Sequence, residues 1–343
     1  MQTASSLVSR VYELDALRGL AALAVVAYHY TTLYGELYGH LGPDPISFGF
    51  GNYGVHLFFL ISGFVIFMTL ERTRTAMDFV VSRFSRLFPA YWAAILISAA
   101  VIYSIGMTSQ QLPWKDVVID FTMIQEFLGA EHLDGSYWTL EVELFFYAQM
   151  LFWYMCGQLK RIHWIIGGWL ILAILYGIAT RLDLHFSHTV RELLILRHIP
   201  FFAIGILFYR IRTYPGELRL NAALIAASIV AIAIAYPPVF SIVALICTAI
   251  FTLFVSNQLK WLRAVPFTFL GAISYSLYLL HQAIGFTLIW RFEMAGFPPG
   301  TAGLCAALVV TVLATLLTYL IERPAMRMIR DAWKKRRPAV APA

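Results

Sequence analysis

Hydrophobic positions in this chain gather in long runs rather than recurring with the period of an amphipathic helix or strand. Ten runs approach the roughly 20 apolar residues that a helix needs to cross a bilayer. They are Leu14–Leu33, Gly54–Leu70, Ala90–Met107, Tyr137–Cys156, Ile165–Thr180, Leu193–Tyr209, Leu220–Tyr236, Val239–Ser256, Phe267–Trp290 and Ala302–Ile321. The pattern predicts an all-α fold, a polytopic transmembrane helix bundle of ten spans. Trp114 to Leu128 is also apolar, but Lys115, Asp116, Asp120 and Glu126 interrupt it, so it is expected to lie at the interface or re-enter. The longest polar segments are Tyr34–Tyr53 and Thr108–Ser136. Residues 1–343 therefore read as one membrane-embedded domain, with 334–343 a basic, disordered cytoplasmic tail. No half of the chain repeats the other, which weighs against the repeat-built plan of many transporters.

Composition sharpens this. Of 343 residues, 60% are hydrophobic and 13% charged, against roughly 25% charged in a soluble domain. Too few charges remain to coat a water-facing surface. The formal net charge of +6 raises nucleic acid as a partner, but the positions of the cations exclude it. Nineteen Lys and Arg fall in segments on one side of the predicted spans and only Lys115, Arg181, Arg191 and Arg291 on the other. That bias places both termini in the cytoplasm. The first run has no small-residue cleavage site after it and is expected to be retained. Cys156, Cys247 and Cys305 lie in or beside apolar runs without metal-ligand spacing, so neither a disulfide framework nor a metal is expected.

Charges inside a bilayer are expensive and mark candidate sites. Arg18 and His29 sit in the first run, 11 residues apart. Helical geometry leaves them about 20° from the same face and about 16 Å apart along the axis. Glu141 and Glu143 open the fourth run on roughly opposite faces, so only one readily points into a shared cavity. Arg197 and His198 fall early in the sixth run, and His281 sits in the outer half of the ninth. Arg83 and Arg86, in the loop before the third run, share a helical face suited either to phosphates or to lipid headgroups.

These residues carry a resemblance. Leu14-Asp15-Ala16-Leu17-Arg18-Gly19 followed by His29 resembles the opening motif of acyltransferase family three, the integral membrane O-acyltransferases. Gly54 to Phe64, Arg83-Phe84-Ser85-Arg86, Trp138 to Glu143 through Phe146-Tyr147, Ser274 to His281, and Ile321-Glu322-Arg323-Pro324 are similar to later family blocks, in order along nearly the whole chain. The resemblance puts the family carboxylate at Glu143. His56 departs from it, standing where many members carry an acidic residue.

The resemblance implies transfer of an acyl group, acetyl by analogy, from cytoplasmic acyl-CoA to a hydroxyl of a sugar in an extracytoplasmic or lipid-linked glycan. It implies a multi-pass protein of the bacterial cytoplasmic membrane. Arg18, Arg83 and Arg86 are the expected acyl-CoA residues, and His29 and Glu143 the catalytic ones, His29 as general base and Glu143 orienting its imidazole. Ser136, Trp138, Glu141, Tyr278 and His281 are the expected acceptor-binding residues. Membrane lipids are the remaining partner. A proton-coupled transporter using His29 and Glu143 as a relay, or a scaffold without chemistry, are the competing readings.

Overall fold

A computed structural model describes residues 11–184 and 186–336; Arg337 to Ala343 of the expected tail lie outside it. Every predicted run overlaps a helix. The helices are α1 (Tyr12–Tyr28), α2 (Tyr34–Tyr38), α3 (Gly54–Glu71), α4 (Ala76–Ile105), α5 (Trp114–Asp120), α6 (Trp138–Met155) and α7 (Ile162–Arg181). They continue with α8 (His188–Leu193), α9 (Ile199–Thr213), α10 (Leu218–Ala235), α11 (Pro238–Val255), α12 (Val265–Met294), α13 (Pro299–Leu317) and α14 (Arg323–Lys335). Among the described residues, seven helical stretches are long and apolar enough to cross a membrane, and the chain is a multi-pass membrane protein. The three expected spans that miss this measure are informative. Ionisable side chains interrupt α1 and α6, and α9 has 15 residues.

The sixth run begins later than its hydrophobicity predicts. Leu193 to His198 form the end of α8 and a turn in which Ile195 takes φ 46°. Arg197 and His198 therefore precede α9 instead of opening it. Arg83 and Arg86 likewise lie within α4, whose start is fixed by Thr75: its side chain accepts from the Asp78 N–H while its own N–H donates to Asp78 Oδ2 (3.2 Å each). Lys334 and Lys335, expected in the tail, end α14.

Two glycine crossings set the bundle. Gly19 of α1 and Gly271 of α12 face one another so closely that a Cβ on either would strike the other helix's backbone. Gly63 of α3 and Gly205 of α9 do the same. Small residues let helix backbones approach where lipid offers no hydrophobic drive between them. The first crossing lays α1 along α12, which brings the first and ninth runs together. Among the described residues two π-helical turns interrupt regular helix, His29–Leu33 between α1 and α2 and Thr318–Glu322 between α13 and α14. Such turns recur at functional sites.

Candidate active site

His29, the first residue of its π turn, is buried (8% exposed). Its Nδ1 lies 2.8 Å from Nε2 of His281, which is fully buried on α12. The other nitrogen of His281, Nδ1, lies 2.7 Å from the Tyr278 carbonyl. A carbonyl only accepts, so His281 Nδ1 carries a proton. Its Nε2 is then the acceptor in the neutral ring, and His29 Nδ1–H must donate to it. The bond to His281 thereby holds the proton of His29 on Nδ1, which leaves the lone pair on Nε2. In that tautomer the ring has one atom, Nε2, with which it can accept a proton.

The segment of α12 around His281 is clamped from outside its own helix. Tyr30 Oη donates to the His281 carbonyl (2.7 Å) and Tyr137 Oη to that of Leu279 (3.1 Å). Asp134, fully buried, accepts the Ala283 N–H (2.8 Å) on Oδ2. Its Oδ1 accepts the N–H and Oγ–H of Ser136 (2.9 and 2.5 Å). Asp134 and Tyr30 escaped the sequence reading. An Asp in a polar loop and a Tyr in an apolar run are ordinary, and only the fold sets them against α12.

Glu143 does not reach His29. Its Oε1 accepts from Ser62 Oγ (2.5 Å) and Tyr147 Oη (2.6 Å). It lines a narrow cavity of about 90 Å³ at the arginine-bearing end of the bundle, with Arg18, Arg83, Arg86, Phe58, Tyr275 and Tyr278 among its walls. All three arginines expected to hold the donor are there. Arg18 pairs with Asp15 (3.3 Å). Arg86 pairs with Glu322, the last residue of the second π turn, and its guanidinium lies over the Tyr275 ring (5.3 Å). Glu322 Oε2 also accepts from Ser276 Oγ (2.8 Å). Arg83 packs over the rings of Phe79 and Tyr147 and leaves its buried Nε without a partner. Tyr278 is part of its wall, and its ring stands 5.3 Å from that of His281.

A larger cavity of about 880 Å³ opens at the opposite end. Its walls include Trp138, Tyr176, Tyr236, Phe240, Arg197 and His198, with Glu126, Glu131, Glu141 and Glu192 at the polar side. The first turns of α6 separate the two cavities: Thr139, Leu140 and Glu143 face the narrow one, Trp138, Glu141 and Val142 the wide one. Phe59, in the wall of the narrow cavity, touches Trp138 and His198 in the wall of the wide one (ring centroids 6.3 and 5.0 Å).

The five residues expected at the acceptor divide. Trp138 and Glu141 line the wide cavity, although both Glu141 oxygens are taken by the N–H groups of Glu126 and Phe127 (3.0 and 2.9 Å), which pins the loop. Tyr278 lines the narrow cavity, its Oη donating to the Ser136 carbonyl (3.2 Å) and accepting from Thr139 (2.8 Å). Ser136 is buried on Asp134 and lines neither cavity. His281 faces His29. His56, buried among Phe59, Phe201 and Phe240, has no hydrogen bond on either nitrogen.

At the end of α5, burial is the main cause that raises the Asp120 carboxyl to about 7, partly offset by the Leu133 N–H on its Oδ2 (2.8 Å). Glu126 is lowered, chiefly by its hydrogen bond to His132.

His29 lines neither cavity; it is linked to the narrow one through His281, whose ring faces Tyr278 in that cavity's wall. The chain belongs to the acyltransferase domain family, acyltransferase family three, whose model matches residues 11–323. Acyltransferase MdmB of Streptomyces mycarofaciens is 26% identical, with 98% of this chain and 96% of that protein covered. The O-acetyl transferase of Shigella phage Sf6 is 28% identical over 39% of this chain and 43% of its own. Nodulation protein 10 of Rhizobium leguminosarum bv. viciae is 33% identical over 32% and 36%. No solved structure matches. The protein is thus a membrane O-acyltransferase, and the transporter and scaffold readings fall away.

Proposed function

We propose that this enzyme transfers an acetyl group from acetyl-CoA on the cytoplasmic side of a bacterial inner membrane to a hydroxyl of a sugar presented from the other side. His29 Nε2, fixed as a lone pair by His281, carries this reading. It takes the proton of the sugar hydroxyl as the oxygen attacks the thioester carbonyl. The C–S bond then breaks, and the imidazolium returns the proton to the departing CoA thiolate. Glu143 serves the donor cavity and does not orient the imidazole.

Arg18, Arg83 and Arg86 support a donor entering from the arginine end, and the bias of the loop cations supports a cytoplasmic side for that end. The thin pantetheine arm suits a narrow channel. Tyr278 lines that cavity and its ring faces His281, so in this reading the thioester passes the Tyr278 ring to meet His29. The wide cavity, with aromatic walls and carboxylates, suits a polyhydroxylated ring. The name of the phage relative, O-acetyl transferase, supports acetyl as the group moved.

The test uses sealed vesicles with the arginine end outward. Labelled acetyl-CoA added outside should acetylate a glycan acceptor trapped inside. Label passing only to an acceptor on the same side as the donor would overturn the two-sided reading.

A further inference from the structure

Beside Arg83, which lines the narrow cavity, lies a second arginine that falls beyond the residues matched by the family model. Helix α14 folds back on the start of α4, held there by Trp333 Nε1–H donating to Asp78 Oδ1 (2.8 Å). This brings Arg330 over the first turns of α4, where its Nε–H donates to Ser85 Oγ (3.1 Å) and its Nη2 to the Ser82 carbonyl (3.3 Å). Arg83 donates to the hydroxyl of the same Ser82 (3.0 Å). Two guanidinium groups therefore converge on one serine, and Arg330 lies close enough to Arg83 and Arg86 to be repelled by both.

Their partners differ from those of the other site arginines. Arg18 and Arg86 each have a carboxylate. Arg83 and Arg330 have only neutral oxygens and form no ion pair among the described residues. Arg83 Nε–H is in addition buried and unpartnered. Gathering half-buried cations without a counter-charge is unfavourable unless an anion completes the group. An anion that bridges two planar guanidinium groups is best matched by a phosphate chain.

We propose that Arg330 and Arg83 together form the binding site for the nucleotide diphosphate of the acyl-CoA donor, so that α14 is part of the substrate site. The proposal rests on acyl-CoA being the donor. A lipid headgroup phosphate offers the same chemistry from another source, and the test separates the two.

The full-length enzyme in nanodiscs is assayed with acetyl-CoA and with acetyl-pantetheine, which lacks the diphosphate and nucleotide. For Arg330→Ala, KM for acetyl-CoA should rise roughly 10–100-fold, with kcat within about threefold, while acetyl-pantetheine kinetics stay unchanged. Arg330→Lys should recover part of the loss. Arg330→Gln, which keeps hydrogen bonding to Ser82 and Ser85 without the charge, should behave as Ala does, and it supplies the reading if Ala fails to fold. Equal KM changes for both donors, or none for either, overturn the proposal. An effect seen only in discs containing phosphatidylglycerol, and equal for both donors, assigns the site to lipid instead. If the wild-type enzyme uses both donors with the same KM, it is the acyl-CoA reading itself that fails.

Discussion

The contact most open to attack is the His281–His29 hydrogen bond. In His281→Leu the Nδ1–H of His29 loses a buried acceptor at 2.8 Å. An unsatisfied buried donor costs about 1–3 kcal/mol, which is roughly 5–150-fold in rate if it is felt only when His29 must act. The larger consequence is that the ring can exchange tautomers. With the proton on Nε2 it has nothing with which to accept one, and a catalytic imidazole in the wrong tautomer can lose roughly 10⁴-fold. Turnover should therefore fall between these limits, roughly 10²–10³-fold, while affinity for acetyl-CoA is unchanged. His281→Gln offers an amide oxygen to His29 and an amide N–H to the Tyr278 carbonyl, so it should return to within about tenfold of wild type. Steady-state kinetics, with melting temperatures as a control for packing, measure both. Full turnover in a stably folded Leu variant refutes the reasoning, and so does a stable Gln variant as poor as Leu.

Glu143→Gln should lower turnover less than tenfold, because the carboxylate touches Ser62 and Tyr147 and not His29; a loss matching that of His29→Ala would restore it to the chemical step. Asp120 predicts a pH dependence of stability. Its carboxyl, raised from 3.8 to about 7 by burial, binds a proton more tightly folded than unfolded. Stability should therefore fall as pH rises across that window, by at most roughly 4 kcal/mol, and level off above it. Melting curves of Asp120→Asn should lack that slope; a slope unchanged by the substitution would assign it elsewhere.

The helices were legible because a bilayer demands long apolar runs, and interruptions of those runs marked the site. Arg18, His29, Glu141 and Glu143 were visible as charges that lipid does not tolerate. Opposite faces of α6 correctly implied that the two glutamates look into different spaces. Partnership was not legible. His29 and His281 are 252 residues apart, and no spacing rule links them. Only the Gly19–Gly271 crossing, which lays α1 on α12, makes the bond possible. Motif order alone pairs Glu143 with the histidine, yet Ser62 and Tyr147 satisfy it first. Arg86 read as a free phosphate ligand because its counter-ion, Glu322, arrives from a π turn near the other end of the chain. Trp138 and Glu141 reach the wide cavity as their position at the start of α6 implies. Ser136 and His281 serve the loop and the base instead.

The central claim is that His29 Nε2 removes the acceptor proton. Its most direct test measures acetyl transfer, acetyl-CoA binding by calorimetry and melting temperature in wild type, His29→Ala and His29→Gln. Both variants should remain folded and bind acetyl-CoA as wild type does, and both should lose transfer by roughly 10²–10⁴-fold, since glutamine is polar but cannot take the proton. A stable His29→Gln enzyme that transfers at the wild-type rate would contradict the account.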